Sequence, residues 1–148
     1  MDPLQKNDDY IGQLLVQERI ITKAELEAGL AEQKRNRDFL CENIVRLGYA
    51  TEQKVFSILS LQIGVPFVSL DEVKVDPLAL NKMPASFAMA FKCLPLRMAD
   101  DIFCLAMTDP LNGKAVKEIQ DYLGIEKIKL FLAGENDIRL AIRKYYGV

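Results

Sequence analysis

The sequence predicts an α+β protein, with an N-terminal helical lobe of two tandem helix-turn-helix units followed by a small α/β lobe that holds a short mixed or antiparallel sheet. Three observations carry this reading. Apolar residues recur at helical spacing as far as Gly64-Val65-Pro66. Beyond that point they fall in short runs separated by turn-forming residues. The stretch Tyr10–Gln33 also repeats as Phe39–Gln62, at an offset of 29 residues. The expected boundaries are a flexible N-terminus over 1–9, the helical tandem-motif lobe over 10–63 and the α+β lobe over 64–148.

In the first lobe, Leu14, Leu15, Ile20, Ile21, Leu26 and Leu30 form one apolar series, and Leu40, Ile44, Val45, Val55, Ile58 and Leu59 form a second. Helices are expected over about 9–18, 23–36, 39–47 and 52–62. Thr22 stands three residues before Glu25, the spacing of a capping box in which each side chain satisfies the other residue's backbone N–H. Thr51 has Lys54 at that place and lacks the reciprocal half. In the second lobe, Val65–Leu70 reads as a short strand after a proline-set turn. Asp76-Pro77 opens a short helix with Pro77 in its first turn, and Pro84-Ala85-Ser86 introduces another through Ala90. Lys92–Arg97 and Ile102–Met107 flank Met98-Ala99-Asp100-Asp101 as a hairpin with an acidic tip. Asp109-Pro110-Leu111-Asn112 breaks the strand ahead of an amphipathic helix from about Lys114 to Leu123, capped by Gly124. Ile128–Leu132 alternates as a strand. Glu135–Tyr145 closes the chain as a helix, acidic at its start and basic at Arg143 and Lys144, the polarity that a helix dipole favours.

With 148 residues, half of them hydrophobic and 27% charged, the chain can bury a core and is neither disordered nor fibrous. Nineteen basic against twenty-one acidic residues, spread over both lobes, leave no footprint for a nucleic acid polymer. Histidine is absent, which excludes Ser-His-Asp and Cys-His catalysis, zinc sites that require His and histidine general bases. Cys41, Cys93 and Cys104 are odd in number and form no CxxC pair, so they read as reduced, buried thiols of a cytosolic protein. The polar, acidic N-terminus is no secretory signal, and no run approaches the ~18 apolar residues of a membrane helix. Direct membrane insertion is not expected, and any role at a membrane would pass through another protein. Asn112-Gly113-Lys114-Ala115 lacks both the earlier glycine and the following Ser or Thr of a phosphate-binding loop, so it starts a helix and holds no ATP. Asp71-Glu72, Asp100-Asp101 and Asp109 fall at turns, and Phe87, Met89 and Phe91 read as a core helix. No metal site, cofactor or catalytic residue is expected.

The repeat pairs Leu15-Val16 with Ile44-Val45, Ile20-Ile21 with Tyr49-Ala50, Thr22 with Thr51, Leu26 with Val55, and Leu30 with Leu59. Two hairpins that each bury one apolar stripe account for these pairs. Gln33 and Gln62, also paired, either bond the backbone of a neighbouring helix or a ligand held there. At these residues the chain resembles the N-terminal domain of type II secretion and type IV pilus assembly ATPases, the MshEN-type domain. The repeated pattern of that family reads Arg-Leu-Gly, two variable positions, two aliphatics, two variable, Gly, two aliphatics, four variable, Leu, three variable, Leu, two variable, Gln. The second lobe resembles the remainder of the domain at Gly64-Val65-Pro66-Phe67-Val68-Ser69-Leu70, Leu94-Pro95-Leu96, Ala106-Met107-Thr108-Asp109-Pro110 and Ala141-Ile142-Arg143-Lys144-Tyr145-Tyr146-Gly147. The likeness spans Tyr10 to Gly147.

The resemblance implies a non-enzymatic regulatory and protein-recognition domain, cytoplasmic and peripheral to the inner membrane through a partner. That partner would be a secretion or pilus assembly protein at the inner membrane, or the domain's own ATPase engine if the chain is a fragment of a larger ATPase. In the family that engine lies downstream, so no ATPase activity is expected within this chain. The resemblance also implies cyclic di-GMP as a candidate ligand. The nucleotide-binding positions would be Tyr10, Ile11, Gly12, Arg19 and Gln33 in the first unit, and Phe39, Leu40, Cys41, Gly48 and Gln62 in the second. In the family, arginines reach guanine and phosphate, and glycines let backbone amides come close. Here both arginine positions are aromatic, Tyr10 and Phe39. The next glycine is kept as Gly12 but replaced by Cys41, and the internal glycine is Arg19 in one unit and Gly48 in the other. An aromatic ring stacked on a base contributes about 1–3 kcal/mol but neutralises no phosphate. The nearest cations are Arg19, Arg35, Arg37 and Arg46, and Lys34-Arg35-Asn36-Arg37-Asp38 reads as a solvated helix end and linker. Two functions therefore stand side by side: a docking module with a degenerate motif, and a cyclic di-GMP receptor.

Overall fold

The computed structural model describes residues 3–110 and 112–148, with backbone alone for residues 3–9 and Gln62, and the chain divides into two units, Met1–Ile63 and Gly64–Val148. The first unit holds α1 (Pro3–Gln17), α2 (Lys23–Asn36), α3 (Leu40–Arg46) and α4 (Glu52–Ile63). Local capping sets the start of α2: Thr22 Oγ1 accepts from Glu25 N–H at 3.1 Å, and Glu25 Oε1 accepts from Thr22 N–H at 2.8 Å. At α4, Thr51 Oγ1 accepts from Lys54 N–H at 3.3 Å, and a lysine has no acceptor with which to complete the box. The interior gathers Leu15, Leu40, Ile44 and Val55, all fully buried, with Leu14, Ile21, Leu26, Phe56 and Leu59 around them. One helix boundary is corrected. The first helix, expected from about residue 9, opens earlier, at Pro3, whose preset φ and missing N–H suit a first turn. Met1 and Asp2 lie outside the described residues.

The second unit is built on β1 (Cys93–Ala99), β2 (Ile102–Met107) and β3 (Ile128–Leu132), in the order β1-β2-β3. The first pair is antiparallel, with Cys93 opposite Met107 and Ala99 opposite Ile102, and the register shifts between Pro95 and Arg97. Pro95 is tolerated because β1 is an edge strand. The second pair is parallel, with Phe103 opposite Ile128 and Met107 opposite Leu132, so the sheet is mixed. A parallel return needs a long crossover, and the helix Gly113–Leu123 supplies it. Two short helices, α5 (Pro77–Asn81) and α6 (Ala85–Phe91), precede the sheet; the crossover helix is α7, and α8 (Glu135–Tyr146) ends the chain. Asp76 caps α5 by accepting from Leu78 N–H at 3.0 Å. The hydroxyl of Tyr146 reaches the carbonyls of Met83 and Leu80 at 3.0 and 3.2 Å, which ties α8 to the last turn of α5 and the connection that follows it. Met83, Leu94, Phe103, Leu105, Ile119 and Ile138 form the centre of this core.

Three details differ from expectation. Val65–Leu70 contracts to a single bridge, Phe67 with Leu132, framed by Leu132 N–H to the Pro66 carbonyl at 2.7 Å and Val68 N–H to the Leu132 carbonyl at 2.9 Å. Leu70–Glu72 then winds into a 3-10 turn, closed by Glu72 N–H on the Ser69 carbonyl at 3.1 Å, which ends the extended run. The hairpin turn is only Asp100-Asp101, with φ of +52° and +66°, so Met98 and Ala99 belong to β1. Two positive φ values in a two-residue loop match the strand twist. On α6, Ala88 is buried and Phe87 is exposed to an intermediate degree like Phe91, but Met89 is 53% exposed, so the helix is not wholly core. Leu111, in the expected strand break, lies outside the described residues.

Candidate functional site

The two helical hairpins make the same turn from different residues. At the end of α1, Arg19 N–H donates to the Val16 carbonyl at 3.0 Å and Ile20 N–H to the Leu15 carbonyl at 2.9 Å. At the end of α3, Gly48 N–H donates to the Val45 carbonyl and Tyr49 N–H to that of Ile44, both at 3.1 Å. This paired closure satisfies the last carbonyls of a helix and requires a left-handed residue at its centre. Arg19 holds φ +61° and Gly48 φ +79°. A Cβ added at Gly48 would meet nothing within 4 Å, so the demand at this position of the pattern is on the backbone and not on space.

Gly12 answers a different demand. It is buried in α1, and a Cβ there would run into Leu26 Cδ1 and stand 3.1 Å from Leu40 Cδ2. On α2, a Cβ at Gly29 would lie 3.0 Å from Leu40 Cδ1 and 3.3 Å from Ile44 Cγ1. Leu40, fully buried, therefore sits against side-chain-free backbone on both earlier helices. Gly29 lies outside the repeated pattern, although a small residue between Leu26 and Leu30 on an apolar helix face is a visible signal of close approach.

The other candidate residues are scattered over several settings. Tyr10 lies within α1 and is 57% exposed, whereas its repeat partner Phe39 is half-buried and precedes α3 with φ −64° and ψ 147°. Ile11 and Gln33 are half-buried, Cys41 is buried, and Arg19 is exposed, as is Gly48. The side chain of Gln62 lies outside the described residues. The structure thus brings Gly12 and Leu40 together in the interior.

The neighbouring arginines are engaged in the local fold. Arg35 pairs with Glu32 at 2.8 Å, and Arg37 caps α2 in the left-handed state, its N–H on the Gln33 carbonyl at 2.7 Å. Arg46 pairs with Asp38 at 3.1 Å and donates to Asn43 Oδ1. Asn43 is fully buried, and it also accepts from Asn36 Nδ2 at 2.9 Å, while Asn36 Oδ1 accepts from Asp38 N–H at 2.9 Å. This network fixes the turn between α2 and α3 and satisfies a buried amide that would otherwise cost about 1–3 kcal/mol. No local sequence signal marks this network, since its members meet only once the turn has formed.

In the second unit, α6 and α8 border a cleft of about 290 Å³. Its apolar lining comes from Met89, Ile138, Ile142 and Val148, and its charged rim from Lys92, Glu135, Arg139 and Arg143. Lys92 Nζ and Glu135 Oε1 stand 2.6 Å apart. Nearby on α8, burial first and the Asp71 carboxylate second hold the Asp137 carboxyl above its ordinary range. Burial pushes the Cys93 thiol up to about 12. Among the described residues, no group of three or more His, Cys, Asp or Glu side chains is placed to hold a metal ion, and no helix is long and apolar enough to cross a membrane.

Comparison with known proteins fits this architecture. Residues 63–148 match the MshEN domain family. The type IV pilus assembly ATPase PilB of Myxococcus xanthus is 32% identical over 93% of this chain and 24% of its own length. PilB of Thermus thermophilus is 23% identical over 99% of this chain and 16% of its length. Bacteriophage adsorption protein B of Escherichia coli is 23% identical over 93% and 18%. The chain spans a quarter or less of the length of these curated relatives. Among solved structures, that of MshE with cdg superposes at a TM-score of 0.76 with 27% identity, covering 92% of this chain and 98% of that one. The N-terminal domain of XpsE superposes at 0.74 with 19% identity, covering 93% and 94%.

Proposed function

The chain belongs to the MshEN domain family, and from that membership we propose that it is a non-catalytic regulatory and protein-recognition domain. It is homologous to the N-terminal domains of type IV pilus and type II secretion ATPases. In this reading it docks on a cytoplasmic region of an assembly component at the inner membrane and relays that contact to an ATPase, while its cyclic di-GMP motif is degenerate. The observation that carries the reading is the occupancy of the repeated motif. Gly12 and Leu40 serve the interior, Arg19 and Gly48 serve as helix stops, and both motif arginine positions are aromatic. A cyclic dinucleotide brings two phosphate charges that need cations. Of the cations nearby, Arg35 and Arg46 already pair with Glu32 and Asp38.

A second reading, a cyclic di-GMP receptor, draws support from the likeness to the structure of MshE with cdg. Exposed Tyr10 could still offer a stacking face. Isothermal titration with cyclic di-GMP separates the two. The expected outcome is no measurable heat for the unchanged chain and the appearance of binding in the double variant Tyr10→Arg, Phe39→Arg. Micromolar binding by the unchanged chain, lost in Tyr10→Ala and Phe39→Ala, would overturn the degenerate-motif reading in favour of the receptor.

A further inference from the structure

We propose that the cleft between α6 and α8 receives an acidic amphipathic helix of a partner protein. The inference rests on the protein-recognition reading above and gives that recognition a place and a chemistry. Two rows run along α8: Ile138 with Ile142, and Arg139 with Arg143. Each pair is four residues apart, so each row advances by about one helical turn. The isoleucines are 1% and 6% exposed and floor the cleft, while Met89 and Val148, 53% and 56% exposed, stand at its sides. At about 290 Å³ the cleft lies at the lower end of small-molecule sites, which run from about 300 Å³, and is sized for a few side chains. An exposed methionine is a wall that adapts to whatever apolar side chain arrives.

Charge selects the occupant. The Lys92–Glu135 pair is internally neutral. Arg139 donates to the Asn136 amide oxygen at 2.6 Å, and neither Arg139 nor Arg143 forms an ion pair among the described residues. The rim therefore keeps two positive charges spaced at one helical turn. A helix laid along α8 repeats in step with it, so an apolar row can face the isoleucine floor while carboxylates one turn apart face the two guanidinium groups. A second copy offering its own α8 would set Arg139, Arg143 and Lys144 against like charges, so the surface favours a different chain with an acidic stripe.

The probe is a labelled, end-capped peptide of about four helical turns with leucine in one i, i+4 row and glutamate in the adjacent row. Its control carries lysine in place of glutamate. Both are titrated into the full chain and followed by fluorescence anisotropy and by amide NMR shifts. The glutamate peptide should bind about tenfold tighter than the lysine peptide, with shifts concentrated at Met89 and along Arg139–Arg143. The double variant Arg139→Glu, Arg143→Glu should invert the preference, and Met89→Asp should weaken the glutamate peptide by about tenfold or more. These are surface positions, and circular dichroism checks that each variant keeps its helix content. Equal affinity for the two peptides, absence of saturable binding, or shifts confined to other surfaces would overturn the proposal. So would self-association abolished by the charge reversal, or capture of phosphatidylglycerol vesicles through the same arginines while the peptide stays silent. If the groove fails but the unchanged chain still co-purifies with the cytoplasmic region of an assembly component, recognition stands and uses another face. If no such region is retained, the wider reading falls instead.

Discussion

At Arg19 a long cationic side chain occupies a backbone state, φ +61°, that costs an L-residue about 1 kcal/mol and glycine almost nothing. Gly48 meets the same turn at φ +79° without that cost. Arg19→Gly should therefore raise stability by about 0.5–1 kcal/mol and Gly48→Ala should lower it by about 1 kcal/mol, read from urea midpoints at unchanged slope. The repeat made these slots legible in the sequence but left their task open, because a glycine can answer to a turn, a close approach or a ligand. Positive φ identifies the turn at Gly48, and the collision with Leu26 identifies the close approach at Gly12. Leu40 illustrates the same divide. It is an ordinary aliphatic position on paper, and only tertiary placement reveals it as the residue against which α1 and α2 expose bare backbone.

Elements whose ends are written locally matched their expectations closely. Thr22 with Glu25 starts α2, Asp76-Pro77 starts α5, and Gly124 at φ +66° stops α7. Ile128–Leu132 is a strand over its expected span. The departures lie where the decision is not local. Phe67 takes its bridge from Leu132, far along the chain, and a short, mostly apolar run cannot tell how much of itself will be paired. Likewise, residues 3–9 carry Leu4 as their one aliphatic and no helical apolar spacing, so the early start of α1 follows instead from Pro3 and the absence of a breaker behind it. The β1–β2 hairpin carries its own consequence. Asp100 and Asp101 hold positive φ in a two-residue turn that strongly prefers glycine at its second position, and they also set two carboxylates side by side. Asp101→Gly should raise the midpoint of thermal unfolding, with a gain of about 1 kcal/mol, and leave the Ala99–Ile102 pairing intact by NMR.

At the scale of the molecule, each of the two units carries its own hydrophobic interior, one of packed helices and one of helices on a three-stranded sheet. The three cysteines divide between them. Cys41 is 6% exposed in the helical unit, while Cys93 and Cys104, 0% and 4% exposed, share the core of the second. None is paired in a disulfide. A thiol reacts as its thiolate and only when a reagent can reach it, and with Cys93 held near 12 it is protonated at neutral pH while the unit stays closed. Alkylation must therefore wait for the surrounding fold to open. Under native conditions, iodoacetamide labelling followed by mass spectrometry should mark Cys93 and Cys104 at one common slow rate. Gly48→Ala should hasten the marking of Cys41 and leave the other two unchanged. Three buried sulfurs thus serve as a pair of stopwatches, each timing how often one half of the protein breathes.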